Sequence, residues 1–149
     1  ALTHASNVLG TVQPVKEIGA ICKQMGILFL VDAAQTAGVL PIDVQELGID
    51  LLAFPGHKGL LGPTGTGALY VDPKVSIAPW REGGTGGDST TETQPKDWPH
   101  YLEGGTPNVL GIAGLIAGLQ WIEGETLEKI HRHEVGLTAY LWEKLETIP

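Results

Sequence analysis

The sequence predicts an α/β fold built on an open sheet, and three observations carry that expectation. Ile27-Leu28-Phe29-Leu30-Val31 is a continuous apolar run, long enough for a strand buried on both faces, and it ends in a carboxylate, Asp32. A helix-period segment precedes it, with Pro14 suited to a helix start and Gly26 to a helix stop. A second apolar run, Ile49-Asp50-Leu51-Leu52-Ala53-Phe54, leads straight into a glycine-rich turn holding one lysine, Pro55-Gly56-His57-Lys58-Gly59.

In chain order, residues 14–25 and 27–33 form one αβ unit. Leu40-Pro41-Ile42-Asp43 is a short connector, and 49–54 is a second buried strand. Gly67-Ala68-Leu69-Tyr70-Val71 is a third strand, ended by Asp72-Pro73. The lysine loop of about a dozen residues between the last two strands implies neither a tight hairpin nor a helical crossover. Trp80 to Thr91 is rich in glycine and hydroxyl groups. A loop of this length is usually functional, so it reads as a flap near the site, the alternative being an irregular surface connection. Pro107 to Glu123 is apolar and poor in charge, which predicts a buried helix linking two lobes. Glu125 to Ile148 reads as an amphipathic helix.

Composition bounds the function. A chain of 149 residues with 42% hydrophobic content and mean hydropathy of +0.08 has enough apolar side chain for one real core. The net charge of −8 argues against nucleic acid or an anionic membrane as partner, since both are bound by clustered Lys and Arg. No apolar run approaches the roughly 20 residues that span a bilayer, and no basic-then-apolar signal opens the chain. With one cysteine there is no internal disulfide, and a reducing, cytoplasmic location is expected. Cys22 falls on the amphipathic helix and reads as a structural thiol rather than a nucleophile. His131 and His133 are two apart on a predicted helix, point to different faces and make a poor metal pair, so no metal is expected. His4 by itself reads as a packed or surface histidine.

The chemistry concentrates around Lys58. The other six lysines lie among polar or helix-surface residues, whereas Lys58 follows a buried strand with no acid nearby in sequence. Partial desolvation there would lower its pKa and favour the neutral amine that forms a Schiff base. Asp32 closes the first buried strand, at the carboxyl end where open α/β sheets bind ligands. A carboxylate so placed can pair with a cationic ring nitrogen such as that of pyridoxal phosphate, and Gln35 can donate to the ring hydroxyl. Alone, Asp32 reads as a helix cap and Gln35 as a surface residue; their position after a buried strand, together with Lys58, favours a site. The glycines around Lys58 also suggest a nucleotide phosphate loop, but such a loop places its glycines before the lysine and Ser or Thr directly after it, and Lys58 is followed by Gly59.

Three segments in order, His4-Ala5-Ser6-Asn7-Val8-Leu9-Gly10, Val31-Asp32-Ala33-Ala34-Gln35, and Gly56-His57-Lys58 with Gly62-Pro63-Thr64-Gly65-Thr66-Gly67, resemble the class V aminotransferases, and within them the cysteine desulfurase and selenocysteine lyase group. The resemblance extends through Glu103-Gly104-Gly105-Thr106-Pro107-Asn108 and covers most of the chain. It implies a three-layer α/β/α large domain of a fold-type I pyridoxal-phosphate enzyme over residues 1–103, an interdomain helix over 104–123, and the start of a smaller α+β domain over 124–149. It also implies that Lys58 holds the cofactor as an internal aldimine and moves protons at the substrate carbon. By the same match Asp32 pairs with the pyridine nitrogen, Gln35 with the ring oxygen, His57 lies beside the phosphate, and Asn7 lies near the ring oxygen and the substrate carboxylate. Thr106 corresponds to a residue that reaches the phosphate of a neighbouring subunit, which implies a homodimer.

Pro55 departs from the family pattern. Relatives commonly carry a phosphate-binding Ser or Thr there, and proline offers neither a side-chain donor nor a backbone N–H. Family members are also much longer, so the chain reads as a middle fragment, without the glycine-rich phosphate loop, the ring-stacking side chain, the substrate-binding arginine and the catalytic cysteine. The activity implied for the whole enzyme is cysteine desulfuration, giving alanine and an enzyme persulfide for a sulfur-acceptor protein. Selenocysteine lyase or another class V aminotransferase or carbon–sulfur lyase would use the same core. The fragment alone is expected to be inactive, and a non-catalytic scaffold is the reading from another class.

Overall fold

The computed structural model describes residues 1–84 and 92–148. Four strands, β1 (Leu2–Thr3), β2 (Leu30–Asp32), β3 (Leu51–Pro55) and β4 (Gly67–Val71), form one sheet in the order β1-β2-β3-β4. The first three are mutually parallel, and β4 runs antiparallel to β3, with Pro55 opposite Gly67. The lysine loop, residues 56–66, therefore reverses the chain between two hydrogen-bonded neighbours.

Helix α1 (Val15–Met25) ends where expected: Gly26 takes the left-handed conformation at φ +64°, and its N–H meets the Cys22 and Lys23 carbonyls. Ile27 N also donates to Cys22 O at 2.9 Å. That bond keeps the chain in the helix exit, so Ile27 and Leu28 stay exposed and β2 begins at Leu30, later than the apolar run predicts. The core is Val15 of α1 with Phe29, Val31, Ala33, Ile49 and Leu52. Burial of each larger side chain among these stabilises the fold by about 1.5–3 kcal/mol relative to exposure. Cys22 is half-buried against this cluster, which fits a packing thiol. The connector after Leu40 continues into a turn that Asp43 organises, its Oδ1 accepting from Gln45 N and Glu46 N, both at 2.9 Å. Lys16 of α1 reaches Glu46 of that turn at 2.6 Å.

Helices α2 (Val109–Glu125) and α3 (Leu127–Leu145) meet at Thr126, whose backbone sits at φ +68°. The expected buried α2 is not found: Leu110 is 87% and Trp121 53% exposed, and only Gly111, Gly118 and Ile122 are buried. The helix rests on the lysine loop through Gly111, Gly114 and Gly118, with Leu115 reaching Gly56 and Gly62, while Val109, Leu110, Ile112, Ile116 and Leu119 stay exposed. No residue of α3 is buried. No helix among the described residues is long and apolar enough to cross a membrane. The centre of the predicted flap, residues 85–91, lies outside the described residues. On its near side, Gly84 O accepts from Gly105 N at 3.0 Å.

Candidate functional site

The parallel strands deliver their carboxyl ends to one edge of the sheet. Asp32 O accepts from His4 N at 2.8 Å, and Ala33 N donates to Ala53 O at 2.9 Å, so β1 and β3 stay paired with β2 to its last residue. Beyond β2 the chain coils tightly: Thr36 N and Ala37 N both donate to Ala33 O, at 3.0 and 2.9 Å, and Leu40 N donates to Thr36 O at 2.9 Å. Asp32 opens this coil. Its Oδ1 accepts from Ala34 N at 2.9 Å, and the side chain is exposed at the sheet edge. Gln35 follows in the same coil, half-buried.

Asn7 lies on the neighbouring loop after β1, which Ser6 organises by accepting from Val8 N at 3.2 Å and Leu9 N at 3.1 Å through its hydroxyl. Asn7 itself is exposed. Between this loop and the coil lies a contact that neither motif announces. His4 Nδ1 is 2.9 Å from Thr36 Oγ1, with the two residues only 6% and 1% exposed. Burial holds the His4 pKa below its ordinary value, favouring the neutral ring.

The lysine loop leaves β3 at the same edge. Gly56 N donates to Thr66 O, Gly62 N to Gly56 O, both at 2.8 Å, and Leu61 N to Lys58 O at 2.9 Å. Leu61 takes φ +59°, a left-handed conformation that costs a leucine roughly 1–2 kcal/mol. Gly56 and Leu60 are buried, whereas His57 and Lys58 point out and are exposed. The desolvation expected of Lys58 is therefore not supplied by the described residues: the loop folds inward on its glycine and leucine, and the lysine stands on its outer side.

Asn108 joins this loop to α2. As the N-cap its Oδ1 accepts from Gly111 N at 3.0 Å, and its Nδ2 donates to Gly65 O at 3.3 Å. Thr106, just before the cap, is exposed and lines a cavity of about 410 Å³ with Gly65, Trp80, Arg81 and Glu103. None of Asn7, Asp32, Gln35, His57 and Lys58 lines that cavity.

Of the six residues singled out in the sequence, Asp32 ends β2 and Asn7, Gln35, His57 and Lys58 sit on the loops that follow β1, β2 and β3, whereas Thr106 lines the cavity at the far end of the lysine loop. Chemically, the edge offers a primary amine, a carboxylate, two carboxamides and an imidazole. An aldehyde-bearing aromatic ring with a cationic nitrogen and a hydroxyl finds its complementary groups in that set. Among the described residues no cluster of three or more His, Cys, Asp or Glu is arranged to hold a metal.

The profile of the family "Aminotransferase class-V" matches residues 1–149. A "Probable cysteine desulfurase" of Methanothermobacter thermautotrophicus is 42% identical over 151 residues, covering 99% of this chain and 38% of the relative. A "Cysteine desulfurase" of Cronobacter sakazakii is 40% identical over 154 residues, covering 100% and 38%. Among solved structures, the cysteine desulfurase CsdA of Escherichia coli superposes with a TM-score of 0.88 at 34% identity, covering 99% of this chain and 38% of that one. The chain thus spans well under half the length of the relatives it matches.

Proposed function

The chain belongs to the class V aminotransferase family, and on that premise we propose that it is the cofactor-binding segment of a pyridoxal-phosphate enzyme that acts as a cysteine desulfurase, converting L-cysteine to L-alanine and leaving the sulfur as a protein persulfide. The observation that carries the reading is that the Asp32 coil and the Lys58 loop leave one edge of two paired parallel strands, joined across by the bond from Ala33 N to Ala53 O at 2.9 Å.

The residues would divide the work as follows. Lys58 Nζ would hold the cofactor covalently and, once released from it, carry a proton to and from the substrate carbon. Asp32, fixed by the Ala34 amide, would keep the ring nitrogen protonated. Gln35 and Asn7 would donate to the ring oxygen, and Asn7 also to the substrate carboxylate. When bound, the cofactor supplies an electron sink for the pair left at the substrate carbon. Pro55 brings no donor to the phosphate, so that side would rest on His57, on the Thr106 of a second subunit in a homodimer, and on residues outside these 149. Cys22 packs against the core on α1, so the sulfur-accepting thiol belongs to sequence outside these 149 residues.

The test is borohydride reduction after incubation with pyridoxal phosphate, followed by peptide mapping. The label is expected on Lys58 and is lost in Lys58→Ala. Cofactor still trapped covalently at another lysine of that variant sinks the assignment. Turnover of L-cysteine against L-selenocysteine by the complete protein then separates a desulfurase from a selenocysteine lyase.

A further inference from the structure

Two glycines bring the Asp32 coil and the lysine loop into backbone contact. Gly38 ends the coil at φ +82°, and a methyl group built on it would overlap the carbonyl group of Gly59. A methyl built on Gly59 would in turn lie 2.5 Å from Ala37 O and 2.8 Å from Val39 Cγ2. Real Cβ atoms do not approach an oxygen that closely, so the two segments touch only because both positions lack a side chain. The contact is immediately beside Lys58 on one strand of the crossing and on the coil begun by Asp32 on the other.

We propose that Gly38 and Gly59 are positioning residues, and that their contact sets where Lys58 stands relative to the carboxylate of Asp32. The proposal rests on the assignment of Lys58 as the cofactor-bearing lysine. Lys58 is exposed, and no hydrogen bond to its side chain occurs among the described residues, so its placement comes from its own backbone. That backbone is held on one side by Leu61 N to Lys58 O at 2.9 Å and on the other by the Gly38 contact. In covalent attachment a carbon–nitrogen double bond forms between Lys58 Nζ and the cofactor's aldehyde carbon. The carbonyl oxygen leaves as water, with nothing oxidised or reduced. The rate of that condensation depends on how near the amine is held to the aldehyde of a ring docked on Asp32, and a displacement of about 1 Å costs on the order of 100-fold.

Gly59→Ala is the informative variant, because Gly59 is not in the left-handed region, so an alanine suffers only from its added methyl. In the complete protein, apo Gly59→Ala is mixed with pyridoxal phosphate. Three quantities are then read: the rate at which the visible band of the linked cofactor grows, the amount of cofactor bound before linkage, and the melting temperature of the apo form. Linkage is expected to slow about 100-fold, with unlinked binding retained and melting within about 4 °C of the parent. Gly59→Ala combined with Val39→Ala, which removes one of the two obstructing groups, is expected to recover part of the rate. Gly124→Ala, where a methyl meets nothing within 4 Å, is expected to link at the parent rate.

An unchanged linkage rate in Gly59→Ala, with the parent's label mapped to Lys58, overturns the positioning role and leaves the lysine assignment standing. A parent label that maps elsewhere removes the lysine assignment and the proposal together. A fall in rate matched by a large fall in melting temperature, or insolubility of both the single and the double variant, also overturns it, since the contact is then a requirement of folding.

Discussion

His4 and Thr36, 32 residues apart in sequence, meet at 2.9 Å in the most buried side-chain hydrogen bond among the described residues, one bond away from the backbone of Asp32. One of the two supplies the shared proton, from the hydroxyl or from Nδ1–H. A protonated ring donates from both nitrogens, so a threonine hydroxyl that was donating must turn and accept.

The burial that lowers the His4 pKa makes this contact a pH-dependent element of stability. The folded chain binds its proton less readily than the unfolded chain, whose histidine titrates near 6.5. The contribution is complete above that pH and is lost as pH falls from about 6.5 through the lowered folded value. Urea midpoints measured from pH 8 to pH 5 are expected to fall more steeply for the parent than for His4→Gln, which cannot titrate. Parallel curves would remove His4 from the account.

The glycines of α2 predict opposite signs for one substitution. Gly118→Ala would put a methyl 2.5 Å from Leu60 O and 3.0 Å from the Leu61 carbonyl carbon, against the loop that carries Lys58. Gly124→Ala in the same helix meets nothing within 4 Å. Helix propensity favours alanine by about 1 kcal/mol at both positions. At Gly124 that gain is expected to appear nearly in full as a raised denaturation midpoint. At Gly118 the overlap outweighs it, and a loss of about 1–3 kcal/mol is expected, as for an overpacked core position.

Asn108 tests how α2 is fastened to the lysine loop. Asn108→Ala removes both the cap acceptor for Gly111 N and the donor to Gly65 O, and a loss of about 1 kcal/mol or somewhat more is expected. Asn108→Asp keeps the acceptor at the positive end of the helix and removes only the donor, so most of the loss is expected to disappear. Equal denaturation midpoints for the two variants would show that the Gly65 bond, not the cap, is the stabilising half.

Local signals make much of this architecture legible in the sequence. Proline and glycine bracket α1, period-free apolar runs mark β2 and β3, and Asp72-Pro73 closes β4. Sequence and structure part where a local run meets a longer-range constraint. Ile27 and Leu28 belong to the apolar run, yet the bond from Ile27 N to Cys22 O spends them on leaving the helix. The apolar α2 reads as buried, but it meets the lysine loop through Gly111, Gly114, Leu115 and Gly118, a spacing visible in the sequence whose partner loop is not. The placement of Asn7, Asp32, Gln35, His57 and Lys58 at the carboxyl ends of β1, β2 and β3 was legible because each ends or follows a strand within a short motif. The His4 to Thr36 and Gly38 to Gly59 contacts were not, since nothing local to either partner reports a neighbour so far along the chain. Exposure of Lys58 was equally hidden, because strand hydrophobicity says nothing about which side of the next loop faces out.

Asp32→Asn separates holding the cofactor from using it. The carboxamide keeps an oxygen that can accept from Ala34 N, now met at 2.9 Å, so the coil and the Gly38 contact should persist. What goes is the negative charge that would stabilise a protonated ring nitrogen. Borohydride labelling of Lys58 is therefore expected to stay near stoichiometric, because attachment needs the amine and its position rather than a charged ring. Turnover by the complete protein is expected to fall on the order of 10²–10³, the usual effect of removing one group aimed at charge that develops during reaction. If labelling is lost along with turnover, Asp32 is a requirement for binding and the division of roles fails; if both persist, the ring nitrogen has another partner and Asp32 serves only to cap its coil.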